Sequence, residues 1–504
     1  VLAILQFDSP ALPLLERMLA DGRLPALAGL RERGGWETID AGATILQSAT
    51  YPTLYTGIDV REHGLYSAFP WSAAEQRVRY LHAWPHPRTI WERLTERGRP
   101  ALVVDPYLAW TPRRMAGLYL NGWGFEDRMV TPARSTPRRS RSALTRRHGR
   151  PPRLDDVYGR PRAASLLALR EQLVHAPRRT ADAVIELLRT RRFDLLWLNL
   201  SASHKAGHHL FDPASVLAET LTPEQERSLG NGLADVYAAA DTALGRIVES
   251  LPDGSDLIVF APTGMGPTTT RTDLLPRMLD AVLSGGDRTQ RRAGSTRTPL
   301  WALRSRVPAV WRAQLVRALP DRIVHDMTGR LYLRADWTRV RAFAVPGEDK
   351  GYVRLNLRGR EREGIVDPAE ADELLAGIEE GLLSFRDPDG SPSIAAVTRI
   401  AELAPPDAPA AARLPDLVVA WGEHPVGRLE GVSSPYYGEI ERDGVGTGRS
   451  GHHADDAWAI VVPATSRRTR LGRPIRITDV GATACALLDA DSTGLSGEPL
   501  LEAA

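Results

Sequence analysis

Four short apolar runs, each ending where polar residues take over, constrain this chain more than any other feature. Val1 to Phe7, Ala101 to Asp105, Asp194 to Leu200 and Asp256 to Ala261 are rich in Leu, Ile and Val and too short for helices. Continuous rather than alternating apolar character marks strands buried on both faces. Between them lie helically spaced segments: Leu14, Leu15, Met18 and Leu19 after the first run, Arg179 to Thr190 before the third, and Leu233 to Leu251 before the fourth. Alternation of this kind predicts an α/β fold, a mainly parallel central sheet with helices on both faces. In such sheets ligands gather outside the carboxyl ends of the strands. Asp8, Ser201 to His209 and Pro262 to Gly266 all fall on that edge. Ser9 and Pro10 read as the N-cap and first turn of the first helix.

Elsewhere the rhythm breaks. Pro132 to Arg162 is rich in Arg, Ser and Pro and reads as a solvated loop. From Thr268 to about Val345 periodicity is weak, as at the start of a cap inserted into the main domain, and Ala404 to Leu414 reads as a linker. Pro415 to Trp421 returns to a strand pattern, so the expected division is a core of residues 1–267 and 415–504 with an insertion at 268–414. A formal net charge of +2 argues against a general nucleic-acid or membrane-surface protein. The single cysteine, Cys485, excludes an intrachain disulfide and a thiolate metal cluster. No run approaches the ~20 apolar residues of a membrane span, and the opening run lacks a basic leader. A cytoplasmic location is the default expectation.

Several segments, taken in order, resemble the phosphodiesterase/nucleotide-pyrophosphatase branch of the alkaline-phosphatase superfamily. The first strand ends at Asp8, where that family places a metal-binding aspartate. Thr50-Tyr51-Pro52-Thr53-Leu54-Tyr55-Thr56-Gly57, followed by His63-Gly64, resembles its nucleophile block. Gly207-His208 follows the third strand, and Val259 to Gly266 stands where the family has a strand and then Ser-Asp-His-Gly-Met-Gly. Gly451-His452-His453 with Asp456-Ala457-Trp458 resembles its late Gly-x-His block, and Asp479 to Thr483 with Gly497 to Leu500 its closing helix and tail.

The resemblance implies a hydrolase that uses two metal ions and a Thr or Ser nucleophile in an in-line displacement. Carried over by position, that site is incomplete. The nucleophile position is Gln47, and an amide does not attack phosphorus usefully; Ser48 and Thr50 are hydroxyls reached by a shifted register. The family's Asp-x-x-x-His becomes His204-Lys205-Ala206-Gly207-His208, and its Asp-His pair becomes Pro262-Thr263. One metal position thus keeps only Asp8, while the other becomes His204, His208 and His453, with His452 as rival. Three imidazoles and an open fourth place form a catalytic zinc arrangement that lowers the pKa of bound water to about 7. In this reading Asp8 serves as a base or orients a ligand, and Lys205 meets an anionic group. Ser48, Thr263 and His452 are candidates for substrate contact. The expectation is one zinc, a lost second metal and a small-molecule, anionic substrate. Open alternatives are a metal-free tailoring enzyme, a non-catalytic binding protein, and an ordinary phosphodiesterase using Thr50 or Ser48.

Overall fold

The computed structural model describes residues 1–127, 131–154, 160–286, 336–405, 407–442, 447–470 and 473–503. All four apolar runs form strands of one nine-stranded sheet. Leu2–Phe7 lies at its heart, parallel to both Leu195–Leu200 and Asp256–Ala261. Ala101–Val104 continues the parallel set beyond Leu195–Leu200, and Gly117–Asn121 follows it. Antiparallel strands join near the edges: Trp458–Val462 beside Asp256–Ala261, and Arg134–Thr136 beside Gly117–Asn121. Every residue of Leu2–Phe7, Leu195–Leu200 and Asp256–Ala261 is buried, which is why these segments show no alternation in sequence.

Helices cover both faces. On one side Ala163–Thr190 and Gly232–Glu249 pack against each other and the sheet, with Leu173, Val184, Val236, Tyr237 and Ile247 buried. On the other, Thr50–Thr56 and Ile477–Leu487 close a second core that contains Tyr55, Trp91 and Trp197. Cys485 is buried in that layer.

Three expectations need correction. The first helix begins at Leu12 with Ala11 as N-cap, because Ser9 adopts a left-handed backbone (φ 50°) and turns its hydroxyl inward instead of capping. The Arg-rich segment is not a bare solvated loop: it contains Arg134–Thr136 and the helix Arg139–His148, held by Arg141 on Asn121 O and Glu126 and by Arg147 and His148 on Glu186. Leu417–Trp421 is a strand, but of a second, four-stranded antiparallel sheet with Ala342–Val345, Gly351–Leu355 and Ile394–Arg399, not of the central one. The second sheet therefore takes in residues on both sides of the expected boundary at 414. Part of the proposed cap, 287–335, lies outside the described residues.

A buried ion pair ties this second sheet to the main domain's loops. Arg271, fully inaccessible, donates to both carboxylate oxygens of Asp387 and to the carbonyls of Thr269, Gly422 and His424. No helix among the described residues is long and apolar enough to cross a membrane.

Candidate metal centre

At the carboxyl edge, the strand Leu195–Leu200 runs straight into the helix Ala202–Leu210. His204 and His208 are four residues apart on it and so share one face. The third histidine arrives on a short antiparallel ribbon, Gly264–Pro267 paired with Gly451–Ala454, in which His453 stands opposite Met265 and His452 opposite Gly266. Successive side chains of a strand point to opposite faces. His453 therefore turns to the helix, while His452 turns away, its Nδ1 2.6 Å from Pro267 O. Gly451 permits the approach: a Cβ there would lie 2.2 Å from Gly207 O.

Ligand-capable atoms of His204, His208 and His453 lie within 4.8 Å of one another, the one such grouping of His, Cys, Asp or Glu among the described residues. Each ring has one nitrogen already engaged. His204 Nδ1 is 3.2 Å from Asp8 Oδ2, His208 Nδ1 is 2.9 Å from Gly451 O, and His453 Nδ1 is 3.1 Å from Thr263 Oγ1. The hydrogen-bond network assigns the protons. A carbonyl oxygen and an ionised carboxylate only accept, so His208 and His204 carry hydrogen on Nδ1. For His453 two hydroxyls fix the proton. Ser9 Oγ donates to Asp8 Oδ1 at 3.0 Å, so it accepts from Thr263 Oγ1 at 2.9 Å, and Thr263 in turn accepts from His453 Nδ1. Asp8 thus sets the tautomer of His204 directly and of His453 through a Ser9–Thr263 relay. All three rings are left with a bare Nε2, and those of His204 and His208 face each other at 3.1 Å. Two lone pairs at that distance repel unless a proton or a metal cation lies between them. Zinc–nitrogen bonds of about 2.0–2.1 Å in a tetrahedral site set neighbouring ligand nitrogens about 3.3 Å apart.

Burial favours the neutral form of two of these rings. It pushes His453 well below the usual histidine range, and His204 nearby adds to this; His208 falls likewise through burial and the charge of Arg449. Burial alone would raise the Asp8 carboxyl, but the histidine His204 and the Asn199 amide, which donates to Oδ2 at 2.8 Å, outweigh it and leave Asp8 lowered. Tyr51, raised well above its ordinary value by burial and by Asp8, remains a hydroxyl and donates to Asp8 Oδ1 at 3.2 Å. Both oxygens of Asp8 are thus engaged, Oδ1 by Ser9 and Tyr51 and Oδ2 by Asn199 and His204.

The other candidates fall differently. Thr263, which replaces a family ligand, is the group that orients His453. Lys205 does not carry its charge to the histidines: it is buried, 3.5 Å from Asp127 Oδ2 and over the Phe125 ring. Thr50 Oγ1 is directed to Ala41 O. Gln47 and Ser48 occupy a buried turn before the helix Thr50–Thr56; Ser48 Oγ donates to Glu348 Oε2 at 2.8 Å, and Gln47 Nε2 has no partner. Sequence reasoning missed Tyr51, Asn199 and Tyr107, whose ring packs 4.4 Å from that of His204. Tyr51 lies inside the nucleophile block and Asn199 at a strand's carboxyl end, both legible signals; Tyr107 carries none.

A mainly parallel sheet flanked by helices, with loops gathered at its carboxyl edge, defines an alkaline-phosphatase-like α/β fold. The chain superposes on the alkaline phosphatase PafA with a TM-score of 0.53 at 12% identity, covering 99% of this chain and 98% of that one. Phosphonoacetate hydrolase from Sinorhizobium meliloti 1021 (0.49, 14% identity, 97% and 95% coverage) and murine ectonucleotide pyrophosphatase/phosphodiesterase 5 (0.47, 11%, 99% and 97%) are similar at lower scores. Curated protein sequences give no significant match. The chain belongs to the type I phosphodiesterase/nucleotide pyrophosphatase family, whose model matches residues 2–424.

Proposed function

We propose that this protein is a one-zinc hydrolase of small phosphate esters, with the ion held by His204, His208 and His453. The observation that supports this most is the convergence of three histidine rings, each with its Nδ1 fixed by an acceptor. Outer partners of this kind are what orient histidine ligands in metal sites. A zinc ion held there supplies Lewis acidity and acidifies water at neutral pH. The chain's own residues do the rest. Asp8 keeps two of the three rings in register and supplies a buried carboxylate in direct contact with His204. Gln47, at the place of the family's nucleophile, brings an unpartnered amide N–H in place of a hydroxyl, which favours direct hydrolysis over a covalent intermediate. The buried hydroxyls of Tyr51, Ser9 and Thr263 fill the surroundings of Asp8 where a second ion would need open ligands.

The test is elemental mass spectrometry on protein purified without added metal or chelator, paired with hydrolysis of 4-nitrophenyl phosphate mono- and diesters. About one zinc per chain in the wild type, lost together with activity in a folded His208→Ala variant, is the expected result. No metal in the wild type, or activity that survives in His208→Ala, overturns it.

A further inference from the structure

Beside this centre lies a pair of carboxylates, Glu348 and Asp349, both in electrostatic reach of His204. Glu348 and Asp349 sit in the tight turn between Ala342–Val345 and Gly351–Leu355. Gly347 makes the turn possible, since a Cβ there would lie 2.3 Å from Lys350 O. Asp349 is only 5% exposed, yet its Oδ2 has no hydrogen-bond partner. Glu348 accepts from Ser48 Oγ at 2.8 Å, which docks the pair against the turn holding Gln47. Neither carboxylate takes part in an ion pair within 4.0 Å among the described residues, although His204 and Arg449 are within electrostatic reach of both, and His452 and Lys350 of Asp349. Burial raises both carboxyls above their ordinary values, for Glu348 with Asp349 adding to the shift, and the positive groups nearby do not cancel it. Two adjacent buried carboxylates are costly unless a cation meets them. Among the described residues no third carboxylate or histidine joins the pair into a metal-binding group.

We propose that Glu348 and Asp349 receive an ammonium group of the substrate, so that the molecule bound at the three histidines is zwitterionic. The proposal rests on the hydrolase reading above and names the substrate class it takes. Asp349 Oδ2 and Glu348 accept the ammonium protons, Ser48 fixes the Glu348 carboxylate, and the ester is presented to the histidine cluster.

Two measurements on the metal-loaded full chain test it. In the first, kcat/KM is compared for the 4-nitrophenyl diesters of 2-aminoethyl and propyl phosphate, which share a leaving group and differ by an ammonium in place of a methyl. In the second, ethylammonium chloride and manganese(II) chloride are titrated calorimetrically at constant ionic strength. The wild type is expected to favour the aminoethyl ester at least tenfold and to bind ethylammonium. Both effects should disappear in the near-isosteric double variant Glu348→Gln/Asp349→Asn. Equal rates on the two esters with no ethylammonium binding overturn the proposal, and so does manganese binding, lost in the variant, without ethylammonium binding. If ethylammonium binds and the variant abolishes it while neither ester is hydrolysed, the cation site stands and the hydrolase reading fails.

Discussion

Replacing Asp8 by asparagine keeps its volume and removes its charge at the point where four groups converge on it. In the wild type, Asn199, Ser9, Tyr51 and His204 approach its oxygens at 2.8, 3.0, 3.2 and 3.2 Å. An asparagine retains one acceptor oxygen and presents an NH2 at the other position, so either His204 and Asn199 together, or Ser9 and Tyr51 together, meet a like group. The consequence spreads: if Ser9 loses its acceptor, the Ser9–Thr263–His453 relay is free to reverse, and His453 no longer has a fixed tautomer. Loss of an outer partner of a metal-bound histidine lowers affinity about 10–100-fold, which is about 1.4–2.7 kcal/mol. Because two of the three rings depend on Asp8, the effect of Asp8→Asn should reach the upper end of that range. Thr263→Val, which touches one ring, should stay near the lower end. Zinc affinity measured by competition with a chromophoric chelator, with folding checked by circular dichroism, gives the comparison. Unchanged zinc affinity in a folded Asp8→Asn protein refutes the assignment of Asp8 as the orienting group.

Other outcomes follow from single contacts. Gly451→Ala places a methyl 2.2 Å from Gly207 O, a backbone atom that has little room to move. The ribbon must shift, His208 loses its carbonyl partner, and metal content should fall while the central sheet's circular dichroism is retained. Arg271→Met leaves Asp387 charged and unpaired in a fully buried site and should cost about 3–5 kcal/mol in denaturant unfolding; a loss under 1 kcal/mol would count against the ion pair as the tie between the two sheets. His63 is depressed to about 4 by burial, because its Nδ1 accepts from Leu65 N at 2.9 Å and its Nε2–H faces Thr53 Oγ1 at 3.0 Å. Its unfolded value is higher, so the unfolded chain binds the proton first: His63's contribution is full above about pH 6.5 and is lost as pH falls toward 4. The difference is roughly 3 kcal/mol, measurable as a flatter pH–stability curve in His63→Gln.

Much of this was readable from residue order. Continuous apolar runs mark strands buried on both faces, and Leu2–Phe7, Leu195–Leu200 and Asp256–Ala261 are each buried throughout. Helical spacing put His204 and His208 on one face, since that relation is local. The start of the first helix was misread because Ser9 and Pro10 satisfy the statistics of a cap, while the tertiary demand of Asp8 and Thr263 on the Ser9 hydroxyl pulled the backbone into a left-handed turn. Lys205 was misplaced because Asp127, its partner, lies on a segment whose position depends on how the chain returns to the sheet. The strand Leu417–Trp421 was recognisable as a strand, but which sheet it joins depends on long-range pairing.

The sequence by itself determined the α/β class, the strands, and the residue types available at their carboxyl edge. Only the tertiary structure decided how they function together. The choice of His453 over His452 depends on the register of a ribbon whose strands lie far apart in the chain, because pleating sends neighbouring side chains to opposite faces. The proton relay from Asp8 to His453 depends on hydroxyls from residues 9 and 263 meeting at 2.9 Å. Hydrogen-bond direction is a property of a closed network, and no single segment of the chain contains enough of it to fix the protons.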